Sequence, residues 1–256
     1  PTVPLPRPRR SADLDRGGIR FDPLPGTAQE ARDLSLLLKL PSSQVLTGAQ
    51  ATEAAVKQAK SPKILHLATH GFFLSNLSEA FPTMARGVAV EFGERLPAPQ
   101  GDHPLLRSGL ALAGANQRQS GTDDGILTAL EVANLDLTGT QLAVLSACET
   151  GVGDVRNGEG VYGLRRALVL AGVRTQVVSL WKVDDAATQA FMGHYYRSIL
   201  NGMGRSAALR ATQQKMRHDP KHPEWADPYY WAAFVVIGDG SPLPRERLAS
   251  TGKEHQ

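Results

Sequence analysis

Cysteine is nearly absent from this chain: Cys148 stands alone among 256 residues. A single thiol excludes an internal disulfide and a cysteine-built zinc site, and it fits a reducing cytoplasm. Long apolar runs are missing as well. No eighteen consecutive apolar residues occur, so no membrane-spanning helix is expected. Residues 1–10 hold Arg7, Arg9 and Arg10 with no apolar segment behind them, which excludes a secretory signal in the chain as given. The start at Pro1 leaves two origins open, removal of an initiator Met or a segment of a longer polypeptide. An excess of one charge is also lacking: the net charge is +3, with acids and bases interspersed. No basic stripe interleaved with aromatics exists, which argues against a nucleic-acid partner. The histidines and carboxylates nowhere take metal-ligand spacing, so neither a metal nor a cofactor is expected.

What is present suffices for one sizeable core, since 41% of the residues are hydrophobic. Residues 1–26 are aperiodic and rich in Pro, Arg and Gly. The chain therefore divides into a flexible tail over 1–22, one domain over 23–240 and a flexible polar tail over 241–256. A helix is predicted over 27–40, with Thr27 and Glu30 as a capping box and Ala31, Leu34, Leu37 and Leu38 as its apolar stripe. A short strand over 44–46 and a helix over 52–60 follow. Strands over 63–69, 109–113, 141–147, 175–180 and 231–237 alternate with helices over 128–134, 161–171, 185–200 and 206–217. Residues 75–108 lack a clear period and read as loop. Strands that are continuously apolar predict an α/β fold, a mostly parallel central sheet flanked by helices on both faces.

Reacting groups in such sheets gather beyond the carboxyl ends of the strands. Two of these ends carry nucleophilic chemistry: His70 in Ala-Thr-His-Gly, and Cys148 in Leu-Ser-Ala-Cys-Glu-Thr-Gly. A free thiol titrates near 8.5 and is only a few per cent thiolate at neutral pH, so a neighbouring imidazole is needed to take its proton. The same imidazole can later protonate a leaving amine. Gly71 lets the backbone approach a substrate closely, and its amide, with that of Cys148, is the expected pair of oxyanion donors. Taken singly, a lone buried Cys or strand-end His is more often core packing. Together, at matching strand ends and each followed by a glycine-bearing turn, they point to a catalytic dyad.

The blocks Leu24-Pro25-Gly26-Thr27, His66-Leu67-Ala68-Thr69-His70-Gly71 and Leu145-Ser146-Ala147-Cys148-Glu149-Thr150-Gly151 match a known pattern. So do Leu46 to Thr52, Leu106 to Gly114, Asp124 to Ala129, Gly158-Glu159-Gly160, Ser179 to Asp185 and Pro228 to Phe234. Across residues 20–238 the chain resembles the CHAT domain family, bacterial relatives of caspases and separase in the caspase-like cysteine peptidase clan. The resemblance implies a caspase-like α/β sandwich, a cysteine endopeptidase activity on a protein substrate, and His70 with Cys148 as the dyad. It also implies a regulatory sensor or repeat domain, in the same polypeptide or a separate one, since the family commonly carries tetratricopeptide repeats. By similarity to separase around Trp181, Asp185 and secondarily Asp184 would attract an Arg or Lys before the cut.

Bland roles stand beside these sharp ones. One of the two aspartates can simply cap the helix that begins near Asp185. Trp181 either walls the substrate pocket or closes the core, and Glu149 either lines the cleft or is solvated. His66, four residues before His70, reads as a hydrogen-bonded core histidine on the same face of the same strand. Tyr229, Tyr230, Trp231 and Phe234 read as packing. Gly158-Glu159-Gly160-Val161-Tyr162-Gly163 mimics a dinucleotide fingerprint, and Asp184 lies 21 residues beyond it. Nine residues separate that run from the strand end, however, and Glu159 would oppose a pyrophosphate. A catalytically silent interaction module with the same fold is the remaining alternative to an enzyme.

Overall fold

The computed structural model describes residues 20–73, 104–146, 148–149 and 159–244. Its elements run α1 (Pro25–Leu38), α2 (Glu53–Gln58), β1 (Ile64–Leu67), β2 (His70–Phe73), β3 (Ser108–Ala111), β4 (Ile126–Thr128) and α3 (Ala129–Ala133). They continue with β5 (Leu142–Leu145), β6 (Cys148–Glu149), α4 (Glu159–Leu170), β7 (Thr175–Ser179), α5 (Asp185–Leu200), α6 (Arg205–Arg217) and β8 (Phe234–Gly238). The first sheet has the order β1-β5-β7-β8, with β1, β5 and β7 parallel and β8 antiparallel at its edge. A second sheet, β4-β3-β2-β6, is antiparallel except where β2 and β6 run parallel.

The central strands bury both faces, which is why their sequences do not alternate. Leu142 and Val144 of β5 pack with Phe191, Tyr195 and Tyr196 of α5 and with Leu34 of α1. Ala143 and Leu145 of the same strand face Val132 of α3 and Leu164 and Leu168 of α4. Phe191 stacks on Phe234 of β8 at 4.3 Å between ring centroids, tying α5 to the edge strand.

Capping explains several boundaries. Thr52 accepts from the Ala55 amide at the start of α2. Thr128 and Glu131 form a full capping box on α3. The box expected at Thr27 and Glu30 is not formed. Pro25 opens α1 two residues earlier, as proline does at a first helical position, and Thr27 donates its hydroxyl back to the Leu24 carbonyl. Glu30 is turned inward instead, 3% exposed. The strand expected over 44–46 is also absent, because a 3-10 turn at Ser42–Gln44 and another at Gly48–Gln50 leave no length for a ladder.

The segments expected as single strands over 63–69 and 141–147 each stop short. His66 and His70 therefore lie on separate strands of separate sheets, not on one strand face as the sequence suggests. The expected loop over 75–108 and the glycine-rich run from Gly151 to Gly158 fall almost entirely outside the described residues.

Candidate active site

His70 opens β2 and Cys148 opens β6, and the sheet register pairs the two residues directly. The same 78-residue offset pairs Ile64 with Leu142 and Leu67 with Leu145 in the first sheet. Parallel pairing thus passes from one sheet to the next without a slip, helped by the Ser146 amide donating to the Leu67 carbonyl. Neighbouring strands lie about 4.8 Å apart, so the backbones at His70 and Cys148 are side by side.

The His70 ring is buried, 9% exposed, and its Nε2 lies 2.6 Å from the Asp22 carbonyl oxygen. A carbonyl only accepts, so Nε2 carries a proton, and in the tautomer this selects the lone pair lies on Nδ1. Nδ1 is buried with no hydrogen-bond partner among the described residues. A buried ring nitrogen in that condition calls for an explanation, and a proton-acceptor role is one. Phe21 packs its ring 5.6 Å from that of His70 and 6.0 Å from that of Phe72. Phe21 and Asp22, which the sequence assigns to the tail, belong to the domain: Phe21 is only 8% exposed and the Asp22 carbonyl meets His70. The one available signal was an aromatic residue in an otherwise polar, proline-rich stretch.

Gly71 lies mid-sheet, with Leu110 as register partner on one side and Glu149 on the other. The two aspartates read as pocket residues already have structural partners. Asp184 caps α5 by accepting from the Ala187 amide at 3.0 Å. Asp185 accepts from the Gly26 amide at 3.3 Å, placing a carboxylate at the N-terminus of α1, where the helix dipole favours it. Glycine is required at position 26, since a Cβ there would come within 2.6 Å of the Asp185 side chain. Gly26 lies four positions after Asp22, so at most about 14 Å of chain joins the partner of His70 to the partner of Asp185. Trp181 is 37% exposed and donates its indole N–H to the Tyr229 carbonyl.

A second histidine is tied into a separate network. His66 lies 2.9 Å from Glu30 through Nε2 and 2.9 Å from the Tyr196 hydroxyl through Nδ1. The Ser146 hydroxyl donates to Glu30 at 3.4 Å. Burial pushes the Tyr196 hydroxyl pKa well above its ordinary value, so it stays protonated and donates to Nδ1. His66 is thus the hydrogen-bonded structural histidine expected from the sequence, and it anchors α1 beside the strand that leads to Cys148. The last glycine of the fingerprint-like run is explained by packing as well. Gly160 and Gly163 lie within α4, and a Cβ at position 163 would collide with the Ser108 hydroxyl of β3.

Comparison with known proteins places these features in a family. The profile of the CHAT domain matches residues 4–239. Tetratricopeptide repeat protein 28 of Homo sapiens is 31% identical over 242 residues, which is 91% of this chain and 9% of that protein. Its Mus musculus counterpart is 30% identical over 245 residues, with the same coverage of 91% and 9%. This chain therefore spans about a tenth of the length of the relatives it matches, and the likeness is not confined to bacteria. No helix among the described residues is long and apolar enough to cross a membrane.

Proposed function

The chain belongs to the CHAT domain family, of the caspase-like peptidase clan, and on that premise we propose that it is a cysteine endopeptidase using Cys148 and His70. The observation that carries this reading is the direct register pairing of the two residues, combined with a His70 ring whose Nε2 is held by a carbonyl and whose Nδ1 has no partner among the described residues. Nδ1 takes the proton from the Cys148 thiol, and the thiolate attacks the carbonyl carbon of the scissile peptide bond. The C–N bond then breaks as the imidazolium returns that proton to the leaving amine. Water, deprotonated by the same Nδ1, hydrolyses the thioester and frees the enzyme. Throughout the cycle the Asp22 carbonyl stabilises the transient imidazolium through Nε2–H, without itself changing charge.

Substrate preference would rest on Asp185. Asp184 is occupied as a helix cap and exposed, whereas Asp185 is half-buried at the junction of α1 and α5. A basic side chain before the cut is the matching chemistry. The relatives are named for tetratricopeptide repeats, and such a repeat segment, in the same or a separate polypeptide, is the proposed regulator. Low turnover by this chain alone is expected until that partner engages.

The test is cleavage of a peptide library, with and without a tetratricopeptide repeat partner, by wild type, Cys148→Ala and His70→Ala. Each substitution should leave less than about a tenth of the wild-type rate, because loss of a nucleophile or its base costs orders of magnitude. Iodoacetamide should alkylate Cys148 faster in wild type than in His70→Ala. Residual activity above about a tenth in Cys148→Ala would sink the dyad, and no cleavage by wild type even with the repeat partner would favour an interaction module.

A further inference from the structure

We propose that Asn116 is a positioning residue that sets the orientation and tautomer of His70 by clamping the backbone of Phe21. This rests on the reading of His70 as the base. Asn116 belongs to the 3-10 turn Ala115–Gln117 that follows β3. Its Oδ1 accepts from the Phe21 amide at 2.8 Å, and its Nδ2 donates to the Phe21 carbonyl at 2.8 Å. One side chain therefore holds both polar groups of a residue 95 positions away. The next carbonyl along, that of Asp22, is the one that receives Nε2–H of His70.

The local alternative does not account for this geometry. An asparagine in a turn ordinarily bonds its own backbone two residues on. Here both arms of the carboxamide reach across the molecule. The pairing also demands asparagine chemistry, since a donor and an acceptor must sit side by side at fixed spacing. An aspartate offers no donor for the Phe21 carbonyl, and an alanine offers neither.

The platform beneath Asn116 is itself held firmly. Ala115 is buried against Phe21, Phe72 and Ile126. The far side of the same loop is tied by the Gly125 amide, which donates to Glu53 at 3.0 Å, and by Lys57, which lies 3.0 Å from Asp123. A fixed turn, one carboxamide and one aromatic ring thus deliver the Asp22 carbonyl to a single place. Without the clamp, the Phe21 peptide loses its partners and the proton on the His70 ring is no longer confined to Nε2.

The experiment uses the full chain labelled with 15N-histidine, as wild type, Asn116→Asp and Asn116→Ala. The His70 signal is identified by its loss in His70→Gln. Long-range proton–nitrogen correlation reads which ring nitrogen carries the proton, independently of any peptidase activity. Wild type should show the proton on Nε2; both variants should show averaging between the two tautomers. Peptide kinetics on the same samples should show kcat reduced on the order of a hundredfold with KM nearly unchanged, the effect of a misplaced base rather than of lost binding. If Asn116→Ala does not fold, the near-isosteric Asn116→Asp still gives the tautomer readout. A variant that keeps Nε2–H overturns the proposal whatever its activity. A wild type that stays inactive even with a tetratricopeptide repeat partner added, yet shows the expected tautomer shift in the variants, would instead overturn the peptidase reading and leave the clamp standing.

Discussion

Removing the charge of Glu53 tests how the loop that carries Asn116 is held. Glu53 is fully buried, and its carboxylate surrounds the Lys57 ammonium together with Asp123 and Glu131, at 2.6, 3.0 and 3.0 Å. Burial, reinforced by the charges of Glu131 and Asp123 and opposed by Lys57, pushes the Glu53 carboxyl from 4.5 up to about 7. Between those values the native state holds a proton that the unfolded chain has released, so stability falls as pH rises through the window. A shift of that size corresponds to about 3 kcal/mol if fully expressed, at 1.36 kcal/mol per pKa unit. Lys57 is 30% exposed and water reaches the cluster. Screening should therefore reduce the observed loss to about 1–2 kcal/mol. Burial works against the Lys57 charge, but bonds to its three carboxylates hold its pKa well above the ordinary value. It stays charged across the window and contributes no slope there. Glu53→Gln abolishes the titration. Urea unfolding of wild type and Glu53→Gln between pH 4.5 and 8 should thus give a wild-type curve that falls relative to the variant. Parallel curves would mean that Glu53 is ionised throughout, and that burial does not dominate its carboxyl.

Three further outcomes follow from the packing. Gly163→Ala should destabilise the domain by about 1–3 kcal/mol in denaturant, and Ser108→Ala in the same chain should restore most of that loss by removing the hydroxyl the new methyl meets. Tyr196→Phe strips the donor from the Nδ1 of His66 and should cost about 1–3 kcal/mol without altering the alkylation rate of Cys148; a slower rate would draw His66 into the active site. Asp185→Asn should erase any preference for cleavage after Arg or Lys in a peptide library, and an unchanged profile would leave Asp185 with the Gly26 amide as its sole role.

The juxtaposition of His70 and Cys148 was legible because both residues follow short apolar strands of recognisable composition. Helix α5 was legible to the residue, since Asp184 is a capping residue ahead of sixteen helical positions. Strand ends were less so. The runs at 63–69 and 141–147 look continuous by hydrophobicity, yet each breaks before His70 or Cys148 and changes sheet, and nothing in composition marks that change. At Glu30 two principles competed. Its spacing from Thr27 satisfies a capping rule, but partnership with His66, and through it Tyr196, keeps the carboxylate inside. Tertiary contacts overrode the local signal.

The same competition explains why the tail was expected to run to residue 22 and why residues 20–26 show no period. Judged by neighbours in sequence, they have prolines and glycine and no period. Beyond the local bonds from Thr27 to the Leu24 carbonyl, their contacts are remote: Asp22 meets His70 at a separation of 48 residues, Phe21 meets Asn116 at 95, and Gly26 meets Asp185 at 159. A segment whose fixing partners lie mostly elsewhere carries little local signature of order, whatever its composition. Those partners are also not random. One is the proposed base, one steadies that base, and one is the acid proposed to select the substrate. Because the segment is short and touches all three, a shift at Pro25 and Gly26 is transmitted to the Asp22 carbonyl within a few peptide units. The position of α1 against α5, fixed by Asp185 at one end and by the Glu30 network further along, therefore bears directly on how the His70 ring is held.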